Sequence, residues 1–205
     1  MIWRRNDEGA VSATGFSRDN QILITTLYSE YTPLQLQVRD ARTGAILRVL
    51  ETESKNIPYT IVFSADGSTL VGAVSNKTTD FPSARIWDVK SGRIKQVIEN
   101  IDKSFWNMRL SSNGLLLFIN DVNGDIKLYN VMSGRLPITW KVFALLSQPS
   151  ATYWLAYTPD GFYDGSPGAE KFIRWRVDDE LFPAEKFKTQ MRRPDLVAQT
   201  LAAPR

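Results

Sequence analysis

The chain has 205 residues, 43% apolar and 23% charged, with a formal net charge of +3, ordinary values for one soluble globular domain or one domain with a short appendage. It contains no cysteine and no histidine, which excludes within it any disulfide, Cys/His dyad, Ser-His-Asp triad or Cys/His zinc site. Lysines and arginines are scattered, the densest group being Lys186, Lys188, Arg192 and Arg193, so that group reads as solvated surface and not as a nucleic-acid footprint.

The chain opens Met1-Ile2-Trp3-Arg4-Arg5-Asn6-Asp7-Glu8, with basic residues but no apolar stretch behind them, unlike a signal peptide. No stretch approaches the ~20 apolar residues that span a bilayer. A cytoplasmic protein with no membrane contact is expected. Ile2-Trp3-Arg4 matches the later Ile86-Trp87-Asp88. The chain therefore reads as beginning on the third strand (2–5) of a preceding unit. Either the array is truncated, or this strand closes a ring against the last unit.

The first full unit, about 11–50, carries strands over Val11–Ser17, Ile22–Tyr28, Leu34–Asp40 and Ala45–Leu50. The second, about 59–98, shows the pattern best. Tyr59–Ser64 is rich in β-branched and aromatic residues, Asp66-Gly67 signals a tight turn, and Thr69–Ser75 is nearly apolar on both faces, as a buried strand is. Ala84–Val89 follows a polar loop, and Arg93–Ile98 alternates like an outer strand with one wet face. The third unit, about 105–142, repeats this with Phe105–Ser111, Leu115–Ile119, Asp125–Val131 and Leu136–Val142. The fourth, about 150–182, has Thr152–Tyr157 as its first strand, then a Gly165-Ser166-Pro167-Gly168 loop, then an alternating Phe172–Val177. Over 183–205 the pattern changes. Phe182–Phe187 suits the start of a short helix, and Pro194–Leu201 suits a helix with Pro194 and Asp195 in its first turn.

Four stretches set the cadence: Phe16-Ser17-Arg18-Asp19-Asn20, Phe63-Ser64-Ala65-Asp66-Gly67, Leu110-Ser111-Ser112-Asn113-Gly114 and Tyr157-Thr158-Pro159-Asp160-Gly161. They begin at 16, 63, 110 and 157, a constant interval of 47. A fixed period of this size marks one structural unit repeated. The units differ most between their second and third strands, where insertions map to loops on one face, often the binding face.

Four-stranded antiparallel repeats of this length are β-propeller blades. Ile86-Trp87-Asp88 with Ser91-Gly92 resembles the WD-repeat signature, and Phe63-Ser64-Ala65-Asp66-Gly67 resembles the turn after a WD-repeat inner strand. Val38-Arg39-Asp40 and Leu128-Tyr129-Asn130 hold the same place less faithfully. The resemblance covers about residues 2–182 and implies an all-β fold: a partial or small propeller of about four blades with a short helical C-terminal tail. The histidine of the usual Gly-His pair is missing, so the resemblance implies blades held by apolar packing and backbone ladders alone. Tyr157–Gly168, Arg174-Trp175-Arg176-Val177 and Arg193–Val197 resemble the closing segment of bacterial WD-repeat proteins, some of which carry a caspase-like peptidase domain. The chain would then be the sensor or scaffold part of such a protein.

Tyr31, Phe81 and Tyr163 stand in or beside loops, and with Asp164 they are the candidate partner-binding residues, since aromatic side chains anchor binding hot spots. Asp160, Asp164, Asp178, Asp179 and Glu180 lie close in sequence and could serve acid/base chemistry or calcium. Asp160, however, suits its turn for backbone reasons alone. No cofactor, metal site or catalytic residue is assigned. The expected function is a non-catalytic module that binds a protein or peptide, with an enzyme using acidic residues in a central channel as the alternative. An open arc exposes its end faces, so self-association or docking of further blades is expected.

Overall fold

The computed structural model describes residues 10–28, 35–52, 58–75, 81–102, 104–145 and 148–202. Turn chemistry fixes where each unit reverses. The Ser17 hydroxyl donates to Asp19 Oδ1 at 2.5 Å and accepts the Ile22 N–H at 3.0 Å. Ser64 does the same with Asp66 at 2.6 Å and Thr69 at 2.9 Å. Ser111 repeats it with Asn113 at 2.6 Å and Leu116 at 2.9 Å. The turn bends through the left-handed region, with φ of +57° at Asn20, +71° at Gly67 and Gly114, and +87° at Gly161. Only glycine, and less readily asparagine, adopts that region at small cost, which is why the fifth residue of the repeated pattern is restricted to those two.

Between these turns the first unit forms a meander of β1 (Ala10–Phe16), β2 (Ile22–Tyr28), β3 (Gln35–Asp40) and β4 (Ile46–Leu50). The second is β5 (Pro58–Phe63), β6 (Thr69–Val74), β7 (Ser83–Asp88) and β8 (Ile94–Ile98). Every residue of β6 is buried, as its two-sided apolar sequence requires. The third sheet begins with β9 (Phe105–Leu110), β10 (Leu116–Asp121), β11 (Asp125–Asn130) and β12 (Ile138–Leu145). It then continues through β13 (Gln148–Tyr157) and β14 (Tyr163–Gly165), giving six strands in the order β14-β13-β12-β11-β10-β9. A separate ribbon pairs β15 (Arg174–Val177) with β16 (Glu180–Pro183). The chain ends in α1 (Lys188–Met191) and α2 (Pro194–Ala202). Among the described residues the fold is all-β, built of four antiparallel sheets with two short helices.

Consecutive sheets pack face to face. Ile24, Leu36, Val38 and Leu50 of the first sheet meet Leu70, Val74 and Trp87 of the second. Val71, Ala73, Ala84 and Ile86 on the other face of the second meet Met108, Leu117, Ile119 and Tyr129 of the third. The turns stack in register with these faces. A Cβ added at Gly67 would lie 3.5 Å from the Ser17 Cβ, and one at Gly114 would lie 3.3 Å from the Ser64 Cβ.

The fourth unit departs from the expected sheet of its own. Its first strand, β13, pairs along its length with β12, from Thr139↔Tyr157 to Leu145↔Gln148. The turn at Gly161 has Met191 and Trp175 as its nearest neighbours, both at 3.0 Å from a Cβ placed there. Thr158 keeps the backbone turn, with its N–H on the Phe162 carbonyl at 2.9 Å, but its hydroxyl is buried without a hydrogen-bond partner. The expected strand over Phe172–Val177 is split between a 3-10 turn at Ala169–Phe172 and β15. Phe182 and Pro183 belong to β16, and only Ala184–Phe187 makes a helical turn there. The expected Pro194 helix is present as α2. The strand expected over 2–5, and with it any ring closure, lies outside the described residues.

Candidate functional site

The β12–β13 hairpin positions the most distinctive side chains. Its register sets Trp140 opposite Ala156, Lys141 opposite Leu155 and Val142 opposite Trp154. Successive strand residues point to opposite faces, so the hairpin has two different surfaces.

On the outward face, Ile138 and Ala156 are covered by Val197 and Leu201 of α2. Beyond the helix the cover stops among the described residues. Trp140, Val142 and Trp154 are 36%, 50% and 42% exposed and border, with Thr152 and Lys141, a hollow of about 280 Å³. Exposed apolar groupings of this kind on a sheet mark interaction surfaces.

On the inward face, the one shared with the core residues Leu117 and Ile119, lie Lys141, Leu155 and Tyr157. Tyr163 joins them from β14, where it pairs with Tyr157. The ribbon folds over this face, and its Arg174 and Trp175, with Phe172 and Ile173, close a hollow of about 310 Å³. Lys141 Nζ reaches Asp125 Oδ1 at 2.9 Å, and that bond holds the ammonium above its ordinary range. Burial first, then the Asp125 charge, pushes the Tyr157 hydroxyl up. Burial, then the Glu170 carboxylate, does the same to Tyr163, so both stay protonated at neutral pH. The Tyr163 hydroxyl and the Trp175 indole N–H are buried and have no hydrogen-bond partner.

A clamp secures the ribbon and the tail. Glu170, only 8% exposed, receives Arg192 Nη1 at 2.7 Å and Lys188 Nζ at 3.3 Å. Arg192 also donates to the Gly165 carbonyl at 3.3 Å. The hydrogen bond to its own backbone N–H, then Lys188 and Arg192, lower the Glu170 carboxyl.

Of the residues singled out from sequence, Tyr31 lies outside the described residues. Phe81 is 41% exposed, just ahead of β7. Tyr163 is 2% exposed, inside the fold against Trp175 with ring centroids 6.2 Å apart. Asp164 is half-buried on β14, its Oδ1 accepting the Gly165 N–H at 2.8 Å. The acidic residues of the last unit do not gather: Asp178 occupies the hairpin at φ +53° and Asp179 pairs with Arg176 at 3.2 Å. Among the described residues no group of three acidic side chains is placed to hold a metal ion. The Gly165–Gly168 loop extends the sheet edge, Ser166 exchanging hydrogen bonds with the Trp154 backbone at 3.1 Å in both directions. The hollow under Trp175 had one sequence signal, the alternation of Phe172–Val177, but its opposite wall was not visible there.

Among the described residues no helix is long and apolar enough to cross a membrane. A scan against protein-family models finds no match, and a search of the curated proteins finds no significant relative.

Proposed function

We propose that this chain is a non-catalytic protein-interaction module of the propeller type, working in the cytoplasm as the binding part of an assembly like the bacterial WD-repeat proteins its sequence resembles. The observation that carries this reading is the outward face of the third sheet, where Trp140, Val142 and Trp154 stand 36–50% exposed around one hollow. The first three sheets of this chain associate through such apolar faces, with the turns at Gly67 and Gly114 each resting on the turn one unit earlier. The outward face of the third sheet is the next surface of that kind, and the partner that best suits it is another blade-like sheet, in the first instance from a second copy of the chain. Loops between second and third strands, Phe81 among them, would add selectivity at the rim of a rigid scaffold.

Light scattering over about a hundredfold range of protein concentration tests the reading. Self-association is expected, and Trp140→Glu with Trp154→Glu should abolish it while leaving the melting midpoint within a few degrees, since charge is not tolerated in an apolar contact. A wild-type protein that stays monomeric throughout that range would remove the second copy as the partner.

A further inference from the structure

The sequence contains two Asn-Gly pairs, Asn113-Gly114 and Asn123-Gly124, and the fold places both in the same kind of backbone turn. The Gly114 N–H donates to the Ser111 carbonyl at 2.9 Å, and the Gly124 N–H donates to the Asp121 carbonyl at 3.2 Å. The two glycines have φ of +71° and +82°, as in a turn that closes through a left-handed residue. Both asparagines are exposed. Their side chains differ. Asn113 Oδ1 accepts the Ser111 hydroxyl at 2.6 Å and the Leu115 N–H at 3.1 Å, which hold its carboxamide in one orientation. In the second turn Asp121 takes that part, its Oδ1 accepting the Asn123 N–H at 2.8 Å and the Asp125 N–H at 3.1 Å. The Asn123 carboxamide makes no hydrogen bond among the described residues. The second turn is also the roomier. A Cβ at Gly124 would meet only the Val142 carbonyl, at 3.6 Å, whereas one at Gly114 would lie 3.3 Å from the Ser64 Cβ.

We infer that Asn123 is an intrinsic deamidation site. The Gly124 backbone nitrogen, on losing its proton to hydroxide, attacks the Asn123 carboxamide carbon. A C–N bond forms and ammonia leaves, giving a cyclic imide. Water then opens the imide at either carbonyl, to aspartate or isoaspartate. The sum is carboxamide plus water going to carboxylic acid plus ammonia, with nothing oxidised or reduced. Glycine favours the first step because no Cβ obstructs the nitrogen. The turn gains a negative charge between Asp121 and Asp125. In the isoaspartyl product the main chain also gains one carbon between residues 123 and 124. Asp121 Oδ1 then cannot hold both N–H groups in their present geometry, and Asp125, the partner of Lys141 at 2.9 Å, shifts with them. Asn113 carries the same dipeptide, but its carboxamide must first leave two hydrogen bonds of about 1 kcal/mol each, so it reacts at least about tenfold more slowly.

Peptide mass mapping after incubation of the folded protein in mildly alkaline ¹⁸O water tests this, since opening of the imide places one heavy oxygen in the product. Label should enter at Asn123 at least about tenfold faster than at Asn113. In concentrated urea, where neither turn is held, the two sites should react at the same rate. Ser111→Ala removes one of the two bonds to Asn113 Oδ1 and should raise the Asn113 rate about fivefold, with Asn123 in the same molecule as the reference. None of these readings requires self-association, so failure here is distinct from failure of the docking proposed above. Three results would each overturn the inference: equal rates at the two sites in the folded protein, a difference that persists in urea, or no label at Asn123 under conditions where the unfolded chain takes it up.

Discussion

The indole N–H of Trp87 donates to the backbone carbonyl of Glu51 across the boundary between the first and second sheets, at 2.7 Å. Trp87 is fully buried, and Glu51 is bound to the second unit twice more. Its N–H donates to the Gly92 carbonyl at 2.8 Å, and its Oε2 accepts the Ile94 N–H at 3.2 Å. The tryptophan of the WD-like tripeptide thus joins two units as well as filling a core. Trp87→Ala should cost about 3–5 kcal/mol of unfolding free energy. Trp87→Phe, which keeps a ring but leaves the Glu51 carbonyl unpaired and a small void, should cost about 1–3 kcal/mol. Urea titrations followed by circular dichroism measure both. A Trp87→Phe protein as stable as wild type would show that the inter-sheet bond contributes nothing net.

The repeated turn gives a paired comparison. Ser64 accepts the Thr69 N–H and donates to Asp66, so Ser64→Ala leaves a strand N–H unpaired, removes one of the donors to Asp66, which keeps those from Ser68, and should cost about 1–2 kcal/mol. Thr158 occupies the matching position 94 residues later, the sum of two intervals of 47, but its buried hydroxyl has no partner. Thr158→Val keeps the shape and removes an unsatisfied group, so it should be neutral or stabilising by up to about 1 kcal/mol. Equal losses in the two variants would contradict the difference between these turns.

That contrast also shows what the sequence could reveal. Turn chemistry is local, so the positions of Asn20, Gly67, Gly114 and Gly161 could be read from spacing, and all four have positive φ. The meanders of the first two units follow for the same reason, each strand paired with its sequence neighbour. The six-stranded sheet was not legible. Thr139, Trp140, Lys141 and Val142 alternate in polarity whether β12 is an edge or has β13 beside it, and the repeat itself argued for an edge. Tyr163 read as a loop residue because Asp160-Gly161 precedes it. In the structure, pairing with Tyr157 turns that stretch into β14 and buries the ring. The hollow under Trp175 depends on a ribbon folding back onto β13, a long-range event that no local pattern encodes.

Two carboxylates should shape the acid limb of stability. The Ser91 backbone N–H, then its hydroxyl and Lys95, hold Asp88 down at about 2. The Ser104 hydroxyl and N–H, then Lys127, hold Asp102 at about 2. Both lie below the ordinary 3.8, so the folded state favours the charged forms. Their stabilisation is fully present above about pH 4 and is lost as pH falls through 4 toward 2. Both side chains are partly open to solvent, which limits the contribution to about 1 kcal/mol each. Asp88→Asn and Asp102→Asn should each lower stability at pH 7 and flatten its decline between pH 4 and pH 2. A pH profile of the urea midpoint that keeps its wild-type steepness in the double variant would contradict this assignment.

Glu170 should decide how firmly the C-terminal tail is held. Its carboxylate is the shared anchor for Arg192 and Lys188, and it is 8% exposed. Removing one partner of a largely buried ion pair leaves the other charge uncompensated, which costs more than the pair contributes when intact. Glu170→Ala should therefore release α1 and speed tryptic cleavage after Lys188 and Arg192 by about tenfold, as local opening loses about 1–2 kcal/mol. The first two sheets do not touch the clamp, so the urea midpoint monitored at Trp87 should hold. Glu170→Ala combined with Arg192→Met should recover part of the protection at Lys188, because the stranded cation is gone. If cleavage in Glu170→Ala is no faster than in wild type, the apolar seat of Val197 on Ile138 and Ala156 holds the tail without the clamp. The ion pairs would then fix the position of the loop at Gly165 instead of the stability of the helix.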